Sequence, residues 1–73
     1  MIQISAKELI KALQKSGFIF ISQKGSHIKL RKERPIRKTI IIPNHKIIRP
    51  GTLNNILKSA DLSEEEIKRI LKK

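Results

Sequence analysis

This 73-residue sequence has two histidines, His27 and His45, and no cysteine, tyrosine or tryptophan. Without a thiol, cysteine nucleophiles, disulfides and thiolate metal sites are excluded. His27 lies in KGSHIKLR, residues 24–31, where Gly25 breaks the chain and apolar and basic residues then alternate. Imidazole can both take and give a proton at cellular pH. Lys29 and Arg31 follow at alternate positions, so a phosphate attracted to them would dock beside the ring. RNA supplies its own nucleophile, the 2′-hydroxyl. A base beside the scissile phosphate can remove that proton or protonate the leaving oxygen, while nearby cations stabilise the charge of the transition state. This chemistry needs no metal, and the sequence lacks the clustered carboxylates of a metal-dependent nuclease. The competing reading makes the same histidine one more hydrogen bond to phosphate on a binding module without chemistry.

The charge agrees with a phosphate partner. The chain carries +11, and residues 24–49 hold nine basic side chains against one acid, Glu33, a net +8. A basic block inside a folded region points to a polyanion, most commonly nucleic acid. Lys24, Ser26, Lys29, Arg31 and Arg37 are the expected RNA contacts. No apolar run approaches the ~20 residues that span a bilayer, and no signal-peptide pattern opens the chain. A cytoplasmic protein away from membranes, needing no metal or other cofactor, is expected.

The elements that must position these residues are marked by start and stop signals. Ser5 and Glu8 form a capping box with Ile4 and Leu9 as its staple, and Gly17 ends the helix, which is expected over about 5–16. Runs rich in Ile and Phe read as three antiparallel strands over about 18–23, 26–32 and 37–42. Leu53, Ile56, Leu57 and Ala60 share a helical face, and Ser63 with Glu66 caps a last helix. The order predicts an α+β fold with the helices on one face of the sheet. Strand alternation then leaves His27, Lys29 and Arg31 on the open face, with Arg37, Thr39 and Ile41 beside them. Phe18 and Phe20, the larger side chains of the first strand, are expected inside, with Ile19 and Ile21 outside. Bare isoleucines on so charged a surface suggest that a protein covers them.

The chain resembles the HicA toxins of bacterial and archaeal toxin–antitoxin systems. The resemblance runs almost end to end over 1–73, read as a single domain. It rests on the helix followed by GFIF, on KGSH at 24–27, on IPNH at 42–45 and on GTLNNILKSADLS at 51–63, in that order and spacing. It implies a double-stranded-RNA-binding-domain-like fold and a ribosome-independent mRNA interferase, with His27 as the catalytic residue. It also implies a HicB-type antitoxin that blocks the site, for which Ile19, Ile21, His27 and Ile41 are the expected contacts. Many relatives have glycine at the position of Asp61, and aspartate tolerates the left-handed conformation better than most residues. Lys24, Ser26, Lys29 and His45 are the candidates for a second catalytic group, although His45 fits better as a hydrogen-bonding residue that holds the loop after Pro43. A helix-turn-helix reading of the C-terminal helices is disfavoured: Glu64, Glu65 and Glu66 occupy the turn that would meet DNA phosphates. A duplex-reading module is disfavoured too. It would want lysines clustered at the start of its last helix, where this chain has only Arg49 and Pro50.

Overall fold

The computed structural model describes residues 2–72. The first helix, α1 (Ala6–Lys15), starts where its caps say it should. The Ser5 hydroxyl accepts from the Glu8 N–H at 3.1 Å, and the Glu8 carboxylate accepts from the Ser5 N–H at 3.1 Å. Two N–H groups that a helix start leaves without partners are thereby satisfied. The helix stops because Gly17 takes a φ of 107°. The Gly17 N–H then reaches the Gln14 carbonyl at 3.1 Å and the Phe18 N–H reaches that of Leu13 at 3.0 Å, a Schellman stop.

Three strands follow: β1 (Ile19–Lys24), β2 (His27–Lys32) and β3 (Lys38–Pro43). They form an antiparallel sheet in the order β1-β2-β3, so β2 is the central strand. Only Gly25 and Ser26 separate Lys24 from its partner His27. Gly25 adopts φ 60°, as the first central residue of a type II′ hairpin turn must.

The chain closes with α2 (Pro50–Ala60) and α3 (Glu64–Leu71). Asp61 ends α2 in the left-handed conformation, φ 59° and ψ 41°. The Leu62 N–H bonds the Leu57 carbonyl at 3.0 Å, repeating the stop used at Gly17. Aspartate therefore does at 61 what glycine does elsewhere. Ser63 and Glu66 form the second capping box.

The fold is α+β and double-stranded-RNA-binding-domain-like, with all three helices on one face of the sheet. Leu9 and Leu13 of α1, Leu30 and Ile42 of the sheet, Leu53 of α2 and Ile67 of α3 are fully buried together. Among the described residues no polar or charged side chain is buried. The segment before α1 is pinned to the loop before α2: the Ile48 N–H donates to the Ile4 carbonyl at 2.8 Å, and the Ala6 N–H to that of His45 at 2.9 Å. Both α1 and α2 pack on β3, and α1 also packs on α3. The helices thus gather over one side of the sheet, and every residue of β1 stays exposed.

That placement corrects the expectation for Phe20. It pairs with the buried Leu30, so it faces the helical side, yet it is 51% exposed because no helix reaches it. Phe18, just before the strand, is buried as expected. Among the described residues no helix is long and apolar enough to cross a membrane.

Candidate functional site

The register lays the open face out in three rows. Lys24, His27 and Pro43 make one row, Ser22, Lys29 and Ile41 the next, and Ile19, Arg31 and Thr39 the third. Side chains opposite one another in an antiparallel pair share a face, with Cβ atoms about 4.5–5.5 Å apart. Ser22, Lys24, His27, Lys29 and Ile41 line a shallow concavity of about 330 Å³. The imidazole thus shares a hollow with two ammonium groups, one from its cross-strand partner and one from the next outward position of its own strand.

The backbone around His27 is held from both flanks. The Asn44 N–H donates to the Ser26 carbonyl at 2.7 Å, and the Gln23 side-chain amide donates to the Gly25 carbonyl at 3.0 Å. Because Ser26 and Asn44 are the hydrogen-bonded pair, His27 and Pro43 form the adjacent non-bonded pair of the ladder. Proline, which has no N–H, therefore loses nothing there. Side chains approach most closely in such pairs, so the Pro43 ring forms a stiff wall beside the imidazole.

Lys24 shares the face of His27 because of a bulge. The register shifts between Phe20 and Ser22, leaving Ile21 without a partner on β2. Strict alternation from Ile19 would have sent Lys24 to the helical side. The shift brings Ser22 and Lys24 onto the open face instead. Ser22 and Pro43 were not read from the sequence as site residues. The alternation of β2 carried across a two-residue turn would have found the first, and the IPNH segment carried a signal for the second.

Other expected residues fall as follows. In the third row the Arg31 Nε donates to the Thr39 hydroxyl at 3.3 Å, which orients the guanidinium across the sheet. Ser26 is exposed in the turn. Arg37 was expected on the third strand but lies in the loop before β3. Its Nε meets the Glu33 carboxylate at 3.1 Å, and both side chains are largely exposed. Glu33, the one acid of the basic block, thus partly offsets Arg37 and leaves the His27 row uncompensated. His45 does hold the chain reversal, but through its backbone. Its carbonyl accepts from Ala6, its N–H donates to the Pro43 carbonyl at 2.9 Å, and the side chain is exposed. It does not line the His27 hollow. Ile19, Ile21 and Ile41 are all exposed, and so is Phe20 on the helical side of β1. Among the described residues no three His, Asp or Glu side chains gather in a way that could hold a metal ion.

Fold and site together define a class: a small basic α+β protein whose open sheet face centres on one histidine among cations. The model of the HicA toxin of bacterial toxin–antitoxin systems matches residues 6–62, from the start of α1 to just past the Asp61 turn. The chain belongs to the HicA toxin family. It is accordingly a toxin of a toxin–antitoxin pair, with an antitoxin as its partner. No curated protein matches it significantly.

Proposed function

We propose that the toxin is a metal-independent endoribonuclease acting on mRNA in the cytoplasm, with His27 at the reacting phosphate and a HicB-type antitoxin as its inhibitor. The observation that carries this reading is the row of Lys24, His27 and Pro43 with Lys29 beside it, an imidazole held between two cations in one hollow. His27 removes the proton of a 2′-hydroxyl, and that oxygen attacks the adjacent phosphorus. The bond from phosphorus to the 5′ oxygen breaks. The products are a 2′,3′-cyclic phosphate and, once the leaving oxygen takes up a proton, a 5′-hydroxyl. Lys24 and Lys29 stabilise the negative charge that builds on the phosphoryl oxygens. One of them, by its place in the hollow, also supplies the leaving-group proton. Arg31, and Ser26 in the turn, hold flanking phosphates, with Arg37 at the periphery.

The antitoxin covers the same face. Ile19, Ile21 and Ile41 give it apolar contacts around His27, so one surface serves substrate and inhibitor in turn. The test is an RNA with a single deoxynucleotide at a mapped cleavage position. Cleavage there should stop while neighbouring positions are still cut, and the normal products should end in 2′,3′-cyclic phosphate. Unimpaired cleavage at the deoxynucleotide would overturn the mechanism.

A further inference from the structure

A second hollow of about 420 Å³ lies on the other side of the sheet, between α1 and the uncovered β1–β2 hairpin. Its occupants have not been accounted for by the His27 site. Lys7 and Lys11, one helical turn apart on α1, stand on its rim with Gln14. Gln23 and Asn44 reach it from the sheet side, and Ile10 and Ile28 complete its lining. Among the described residues no acidic side chain lines it. Glu8, the one acid of α1, is engaged with Ser5 in the capping box. The hollow exists because the helices gather over β3 and leave the hairpin overhanging.

Its composition is that of a nucleotide site rather than a general anion patch. Ligand pockets combine an apolar wall with a few convergent polar groups. Here the wall is aliphatic, the polar groups are three side-chain amides, and two ammonium groups stand at the mouth. Amides offer both a donor and an acceptor, as base edges require. The Gln23 amide nitrogen already donates to the Gly25 carbonyl, which fixes that side chain and leaves its oxygen to accept. Sequence-selective RNA recognition works mainly on unpaired bases splayed into such sites.

The hollow is also next to the chemistry. Gln23 precedes Lys24, Ile28 follows His27, and Asn44 directly follows Pro43 at the end of β3, so each of these lining residues adjoins the row of His27. The Gly25–Ser26 turn joins the two strands that line both hollows. A Cβ built on Gly25 meets nothing within 4 Å, so the turn is open on that side.

Resting on the nuclease reading, we infer that this groove holds an unpaired nucleotide of the RNA flanking the scissile phosphate, with Lys7 and Lys11 on its phosphates and Gln14, Gln23 and Asn44 reading its base. The groove then sets which sequences are cut, and His27 does the cutting.

The test separates the two claims. Binding is measured with the His27→Ala protein and a single-stranded RNA, so that nothing is cut. Each phosphate contact on a single strand contributes about 0.7 to the slope of log affinity against log salt. Adding Lys7→Ala and Lys11→Ala should reduce that slope by about 1.4. The charge-matched pair Lys15→Ala and Lys58→Ala, both exposed and outside the groove, should leave it nearly unchanged. Gln14→Ala in the otherwise wild-type protein should change the bases preferred beside the cut in a mapped RNA digest. If the wild type cuts but both lysine pairs behave alike and the map is unmoved, the groove assignment is wrong and the nuclease reading stands. If the slope responds to Lys7 and Lys11 alone while the wild type never cuts, the groove stands and the nuclease reading fails. If no RNA binds, both fail.

Discussion

An imidazole on an exposed strand does chemistry only when its neighbours bring it a substrate and hold it still. Around His27, Lys24 and Lys29 place two cations in the same hollow, and the backbone is held by the Asn44 and Gln23 hydrogen bonds. The KGSH segment made the histidine and Lys24 legible. The role of Pro43 was not legible, because it depends on the phase of the ladder that Asn44 sets with Ser26. The apolar residues of this face lead to a separate prediction. Ile41 is 44% exposed and sits beside Lys29, so Ile41→Asp should leave the toxin folded. It should weaken antitoxin binding by about 1–2 kcal/mol, roughly a 5- to 30-fold loss in affinity. Titration calorimetry against the antitoxin checks this; an unchanged affinity would remove Ile41 from the covered surface.

Among the elements, the informative feature is β1, where two local rules disagree. The hairpin turn requires Lys24 to share a face with His27, and Ile19 shares a face with Arg31. These positions are out of phase by one residue along β1, and the bulge at Ile21 absorbs the difference. Side-chain size placed Phe20 in the core; it does face the helical side, but no helix reaches it there. Caps and stops were legible because they depend only on near neighbours, and the observed helix starts follow Ser5 and Ser63 as expected. The stops give two opposite predictions. Asp61 holds a left-handed conformation that costs a residue with a Cβ about 1–2 kcal/mol, less for aspartate. Its pairing with Lys38 at 3.7 Å is too exposed to offset this. Asp61→Gly should therefore raise thermal stability slightly, by about 0.5 kcal/mol. Gly17→Ala should lower it by about 1–2 kcal/mol, since φ is 107° and the new Cβ would press to 3.1 Å from Lys32. Thermal unfolding followed by circular dichroism distinguishes these signs.

For the whole molecule, small size and high charge set the behaviour. A chain of 73 residues has a net stability of about 4–11 kcal/mol at the usual ~0.05–0.15 kcal/mol per residue. Leu30 is fully buried at the centre of the sheet, and Leu30→Ala should cost about 2–5 kcal/mol, a large share of that stability. Denaturant titration measures that loss. On the proposed nuclease reading, the +11 charge should make RNA binding strongly salt-dependent, with Lys24, Lys29 and Arg31 together contributing about 2 to the slope against log salt. Fold class and open face were legible in the sequence because helix periodicity and the alternation of β2 fix them. The groove under the hairpin was not. It arises from where α1 lies across the sheet, which no local pattern encodes.

The most direct measurement compares wild type and His27→Ala on a long single-stranded RNA with EDTA present, after circular dichroism has confirmed that both are folded. The account predicts cleavage by the wild type that falls roughly 100- to 10,000-fold in the variant, with RNA binding largely kept. Equal cleavage by both proteins, or equal binding with no cleavage by either, would contradict it.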